Sequence, residues 1–152
     1  MNATIISSEP VYTLAVASRL SGIPSHSIRQ YVDKGLILPY KTDSNRHLFS
    51  EVDLDRLQNI KNYIDEGLNI AGIKSLYALI PGFLINACSD KECLGCHAYN
   101  NKTAPCWITN SDKAKCNYKD CRSCEVYKMT NPIDDLYNYF VKIREEGITS
   151  LK

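Results

Sequence analysis

The chain has 152 residues, 44% of them hydrophobic and 23% charged, with a formal net charge of +1. That composition suits one folded domain or two small ones, and the near-zero charge excludes a bulk basic field, so any nucleic-acid contact must come from a local patch. No apolar run approaches bilayer length, and the opening "MNATIISSEP" lacks the basic start and long apolar stretch of a secretory signal; a cytoplasmic location, where thiols stay reduced, is therefore expected.

In chain order, the first element is "TLAVASRLSG". Leu14, Val16, Ala17 and Leu20 recur at helical spacing, with Thr13 to cap the start and Gly22 to end it. "SIRQYVDKG" follows as a second helix, with Ser25 as the expected N-cap, Ile28, Tyr31 and Val32 apolar, and Gly35 as the stop. Two short helices joined by a Gly-containing turn make a helix-turn-helix. "LILPYKTDSNRHLFS" then reads as a β-hairpin around the polar turn "TDSN". "SEVDLDRLQNIKNYIDEG" is a helix with Ser50 as cap, acids in its first turn, and Leu54, Leu57, Ile60 and Ile64 as its expected buried stripe. "NIAGIKSLYALI" supplies another helix, capped by Asn69, and Pro81 and Gly82 end that pattern. The order helix-turn-helix, hairpin, helix, helix is a winged helix-turn-helix.

Over residues 12–80, "YTLAVASRLSGIPSHSIRQY", "KGLILP", "FSEVDLDRL" and "EGLNIAGIK" resemble, in order and spacing, the N-terminal domain of MerR-type transcription regulators, especially the heat-shock-repressor branch. The chain departs from the family's pattern at Val32, where an acid is usual, and in the wing sequence "SNRHLF". The resemblance implies that the second helix enters a major groove and offers Ser25, His26, Ser27, Arg29 and Gln30 to the duplex. It matches Arg29 to the family's helix arginine, whose guanidinium can fork onto a phosphate or a guanine edge. It matches Tyr31 to an aromatic whose hydroxyl could reach a phosphate; the alternative reading of Tyr31 is a core residue. Lys41, Arg46 and His47, on and beside the wing, would hold the flanking backbone. A homodimer on a palindromic promoter element is implied, with RNA polymerase a further candidate partner.

All seven cysteines lie between Cys88 and Cys124, which divides the chain into a winged helix-turn-helix over residues 10–80 and a cysteine-rich module over residues 83–152. The ladder C-x4-C-x2-C is written twice, as Cys88, Cys93, Cys96 and as Cys116, Cys121, Cys124, with Cys106 between. In a reduced compartment a C-x2-C turn can face two thiolates toward one ion, so Cys93 with Cys96 and Cys121 with Cys124 could complete one tetrahedral site. With His97 the seven cysteines make eight candidate ligands, enough for two such sites. Thiolate softness favours zinc, copper(I) or an iron–sulfur cluster, without choosing among them. The role is open between a structural metal, which would supply folding energy to a segment poor in aliphatic residues, and a sensing site for metal, oxygen or thiol redox state. "CLGCH" also spells a haem attachment signature, which needs an extracytoplasmic route at odds with a DNA-binding half. Disulfides conflict with the compartment and the odd count. The segment around "PCW" resembles small Cys-Trp modules attached to bacterial sensory proteins, with Cys106-Trp107 keeping the dipeptide.

The last element, "NPIDDLYNYFVKIREEG", is a helix with Asn131 as cap, Pro132 in its first position and an apolar stripe of Leu136, Tyr139, Phe140 and Ile143. That stripe is either a dimer seam or a face packed within one chain. No Walker loop, dinucleotide fingerprint or zinc-protease motif occurs, so no enzyme is expected. The rival readings are a thiol-redox or electron-transfer protein, and an interaction adaptor whose winged domain does not bind DNA. The expected architecture is mainly α: a winged helix-turn-helix, an irregular cysteine-rich metal-binding module, and a C-terminal helix.

Overall fold

The computed structural model describes residues 6–85, 89–94, 96–100, 104–109 and 120–147. Strand β1 (Tyr12–Thr13) leads directly into helix α1 (Leu14–Ser21). Thr13 is extended and its hydroxyl accepts the Val16 N–H at 3.3 Å, while Gly22 closes the helix at φ 71°, a left-handed conformation that glycine adopts without steric cost. Helix α2 (Ser25–Asp33) starts one residue earlier than its sequence suggests. Pro24 is the N-cap and Ser25 is already helical, with no side-chain cap. The Pro24 carbonyl accepts the Ser27 N–H at 3.0 Å and the Ile28 N–H at 3.1 Å, so the first turn closes through backbone bonds. At the other end Leu36 N–H returns to the Tyr31 carbonyl at 2.9 Å and Gly35 sits at φ 78°.

The hairpin follows as expected. Strand β2 (Tyr40–Lys41) pairs antiparallel with β3 (His47–Phe49), and β3 also pairs with β1, giving the order β1-β3-β2. The turn is closed by Thr42 N–H to the Arg46 carbonyl and Arg46 N–H to the Thr42 hydroxyl, with Asn45 at φ 68°. Helix α3 (Glu51–Asp65) begins with a reciprocal capping box: Asp53 N–H bonds the Ser50 hydroxyl at 3.2 Å and Ser50 N–H bonds the Asp53 carboxylate at 2.9 Å. Helix α4 (Ile70–Ala78) is capped by Asn69, which accepts the Gly72 N–H at 2.7 Å.

The stripe read for α3 is rotated. Leu57 and Ile60 are buried, but Leu54 and Ile64 are only partly so, and Val52, Asp53, Arg56 and Tyr63 complete the inward face. The rotation has a physical cause: the later half of the chain covers the side of α3 that carries Arg56.

That later half carries short helices among its described residues: α5 (Gly82–Ile85), α6 (Asp90–Leu94), α7 (His97–Asn100), α8 (Cys106–Thr109), a 3-10 turn at Cys121–Ser123, and α9 (Glu125–Lys128). Helix α10 (Pro132–Glu146) closes the described chain, with Asn131 as N-cap and Pro132 in the first turn. One core spans both halves. Ile28, Leu36, Ile37, Phe49, Val52, Leu57, Ile60, Ile73 and Tyr77 are buried in one cluster with Trp107, Cys124, Val126 and Tyr127. Each fully buried large apolar side chain contributes about 1.5–3 kcal/mol over an exposed one.

At the centre of that cluster Arg56 is fully buried. Its guanidinium carbon lies 4.1 Å from the Tyr127 ring centroid, 4.4 Å from Tyr77 and 4.6 Å from Trp107. Its Nη2 donates to the Tyr127 carbonyl, while Nε and Nη1 have no hydrogen-bond partner among the described residues. Three aromatic faces thus surround a desolvated cation, an arrangement in which each ring adds electrostatic attraction. Helix α10 packs on α4 and is tied to α3 through the Tyr63 hydroxyl, which donates to the Asn131 side chain.

Candidate nucleic-acid interface

Helix α2 is held by its inward residues and leaves the outward ones to solvent. Ile28 is fully buried and Tyr31 is 7% exposed, whereas His26, Arg29 and Gln30 are exposed and Ser25 and Ser27 half-buried. Burial, and secondarily the charge of Asp65, raises the Tyr31 hydroxyl above its usual pKa. Tyr31 therefore contributes to the core, the second of its two sequence readings. On the wing Lys41 and Arg46 are exposed. His47 is half-buried, its ring edge-on to Phe49 at 6.4 Å between centroids.

The link from α2 to the wing, residues 34–39, draws part of its backbone bonding from the later half of the chain. Leu36 and Ile37 are buried, and the polar groups beside them find partners in the cysteine-rich half. The Trp107 indole N–H donates to the Gly35 carbonyl at 2.7 Å. The Tyr127 hydroxyl accepts the Leu38 N–H at 2.8 Å and donates to Asp53 Oδ1 at 2.6 Å. Arg122, ion-paired to Asp120 at 2.9 Å, reaches the Pro39 carbonyl at 3.5 Å and lies 4.8 Å over the Tyr40 ring. Burial raises Asp53 above the usual carboxylate range despite the bonds from Tyr127 and Ser50. Sequence reasoning missed Arg56, Trp107, Arg122 and Tyr127 as a group because they meet only in three dimensions. The single signal was compositional: tryptophan occurs once in the chain, beside a cysteine.

Of the expected metal ligands, Cys88 and Cys116 lie outside the described residues, as do the side chains of Cys93 and His97. Cys96, Cys106 and Cys121 are half-buried and Cys124 is buried. Cys121 and Cys124 share one tight turn, closed by Cys124 N–H to the Cys121 carbonyl at 3.1 Å. Burial first, then the proximity of Cys124 and Asp120, pushes the Cys121 thiol up. Among the described residues no three His, Cys, Asp or Glu side chains converge on one point. No helix among them is long and apolar enough to cross a membrane.

Comparison with known proteins bears on the first half. The family described as MerR HTH family regulatory protein matches residues 12–79. Those residues are a MerR-type helix-turn-helix domain. The MerR-type domain is similar to the HTH-type transcriptional regulator GlnR of Bacillus anthracis, 39% identical over 69 residues, which cover 45% of this chain and 54% of that one. It is similar to the HspR protein of Streptomyces coelicolor, named for heat shock, at 38% over 71 residues covering 46% and 47%. The HTH-type transcriptional regulator MlrA of Escherichia coli is 33% identical over 67 residues covering 43% and 28%. The match to GlnR and HspR thus spans about half of each relative's length. The MerR-type domain ends before the first cysteine.

Proposed function

We propose that this chain is a sequence-specific DNA-binding transcription regulator, read here as a regulator and not an enzyme. The observation that carries the reading is that α2 of a MerR-type domain turns Ile28 and Tyr31 inward and leaves His26, Arg29 and Gln30 on the solvent face. In this reading Arg29 forks onto a guanine edge or a phosphate, and Ser25, His26, Ser27 and Gln30 add polar contacts. Lys41, Arg46 and His47 hold the flanking backbone, fixing register more than sequence choice.

One head of this size reads few base pairs, so the regulator works as a homodimer on an inverted repeat. Support comes from α10, where Ile133, Tyr137, Phe140 and Val141 are exposed, Tyr137 at 69% and Phe140 at 62%. These positions share one helical face, which a second copy would cover. Of the stripe read from sequence, Leu136, Tyr139 and Ile143 are half-buried within the chain and Phe140 is exposed.

The cysteine-rich half binds a soft metal, as zinc or an iron–sulfur cluster. The donor chemistry fits: Cys121 and Cys124 sit on one tight turn, the geometry in which two thiolates can share an ion. Such a metal would supply folding energy to this half and, if labile, a sensory input. The test of the central reading is duplex binding by the full chain across a salt series, beside Arg29→Ala. Affinity should fall steeply with salt, and Arg29→Ala should lose about 1–3 kcal/mol of sequence discrimination. Binding of equal strength and selectivity in the Arg29→Ala variant would overturn the assignment of α2.

A further inference from the structure

The link between α2 and the wing has buried side chains at Leu36 and Ile37, and the backbone groups of half-buried Gly35, Leu38 and Pro39 beside them are shielded from water and need partners. Three side chains of the other half supply them. Trp107 holds the Gly35 carbonyl, Tyr127 holds the Leu38 N–H, and Arg122 reaches the Pro39 carbonyl and covers Tyr40 at the first residue of the wing. Steric fit adds to this. A Cβ on Gly35 would lie 2.6 Å from Ile108 Cδ1, so α8 packs against the backbone where α2 ends. Tyr127 also bonds Asp53 in the capping box of α3, so the same residue ties the link to the helix that follows the wing. Trp107 and Tyr127 are held in turn by the Arg56 guanidinium between them.

We infer that Trp107, Arg122 and Tyr127 are positioning residues for the DNA-reading head: they fix the link between α2 and the wing, and so set the relative placement in which the two meet a duplex. The inference deepens the proposed function and rests on it. Each clamp residue is close in sequence to a cysteine. Trp107 follows Cys106, Arg122 follows Cys121, and Tyr127 lies three residues after Cys124, in the helix that Cys124 begins. The folding of the cysteine turns is thereby coupled to the reading head through side chains, without passing along the intervening chain.

The test uses the full chain and a duplex recovered by it from a randomised pool. Trp107→Phe and Tyr127→Phe remove the polar group and keep a ring; Arg122→Ala, on a half-buried side chain, guards against variants that fail to fold. Each is measured alone and combined with Arg46→Ala on the wing, with affinities normalised to the folded fraction. The clamp predicts weaker binding in each variant and a smaller Arg46→Ala penalty than in the parent, a coupling of roughly two-fold or more. A purely structural role would lower the thermal midpoint while leaving the Arg46→Ala penalty alone. An Arg46→Ala penalty that is the same in every background, zero included, overturns the inference while leaving the DNA reading standing. Failure of the parent chain to enrich any duplex overturns the reading and the inference together.

Discussion

Arg56 is fully buried, its guanidinium held among the rings of Tyr77, Trp107 and Tyr127. In "VDLDRLQNIK" it occupies a position that reads as solvent-facing, because a charged residue on an amphipathic helix normally is. Its partners Trp107 and Tyr127 lie far along the chain, so no local pattern could reveal the cage. Truncation to Ala should leave a cavity among three rings and cost about 3 kcal/mol or more in denaturant unfolding. Arg56→Met, which refills the volume without the charge, should recover part of that loss. A titration prediction belongs to Tyr77, whose hydroxyl bonds the Thr130 carbonyl at 2.8 Å and whose pKa burial pushes up to about 12. Unfolded tyrosine ionises at 10.0. Above that pH the unfolded chain loses this proton while the folded chain keeps it, so stability falls as pH rises from 10 toward about 12. Tyr77→Phe should flatten that decline in unfolding free energy measured across the same range. An unchanged slope would contradict the burial assigned to Tyr77.

At the scale of elements, what is local was legible. Thr13, Ser50, Asn69 and Asn131 all cap the helices their positions announce, because a cap is decided within three or four residues. The hairpin was legible for the same reason: the polar "TDSN" separates two pairing segments. The start of α2 differs by one residue from the expected Ser25 cap because both Pro24 and Ser25 suit a helix start, and the first turn closes on the Pro24 carbonyl. The phase of the α3 stripe was misread because burial there comes from the cysteine-rich half as well as from the winged domain. The short helices α5 to α9 are too brief for a 3.6-residue period to register. Gly35 joins these elements: it ends α2 at positive φ and admits Ile108. Gly35→Ala should therefore destabilise by about 1 kcal/mol or more, and the emission of Trp107, the chain's one tryptophan, should shift as its bond to the Gly35 carbonyl loosens. An Ala variant of full stability and unchanged emission would refute the close fit between α2 and α8.

For the whole molecule, the sequence divides the chain at the first cysteine, while the core runs through that division. Trp107, Val126 and Tyr127 are nearly as deeply buried as Leu57 and Ile73. The core of the winged domain is thus completed by the half that holds the cysteines, and treatments that unfold the cysteine turns should act on the winged domain. If the proposed metal is bound, its chelation, followed by metal analysis and Trp107 emission, should release metal and red-shift the emission together. Metal release with emission unmoved would separate the two halves energetically. Dimerisation should depend on the α10 face: Tyr137→Glu with Phe140→Glu should halve the mass seen by light scattering if a second copy covers it. A parent chain that scatters as a monomer at all concentrations would remove α10 as the seam. The most direct measurement is selection of duplexes from a randomised pool by the full chain. The account predicts enrichment of an inverted repeat whose half-sites lose their preference in the Arg29→Ala variant, and a pool that emerges without any enriched sequence would contradict it.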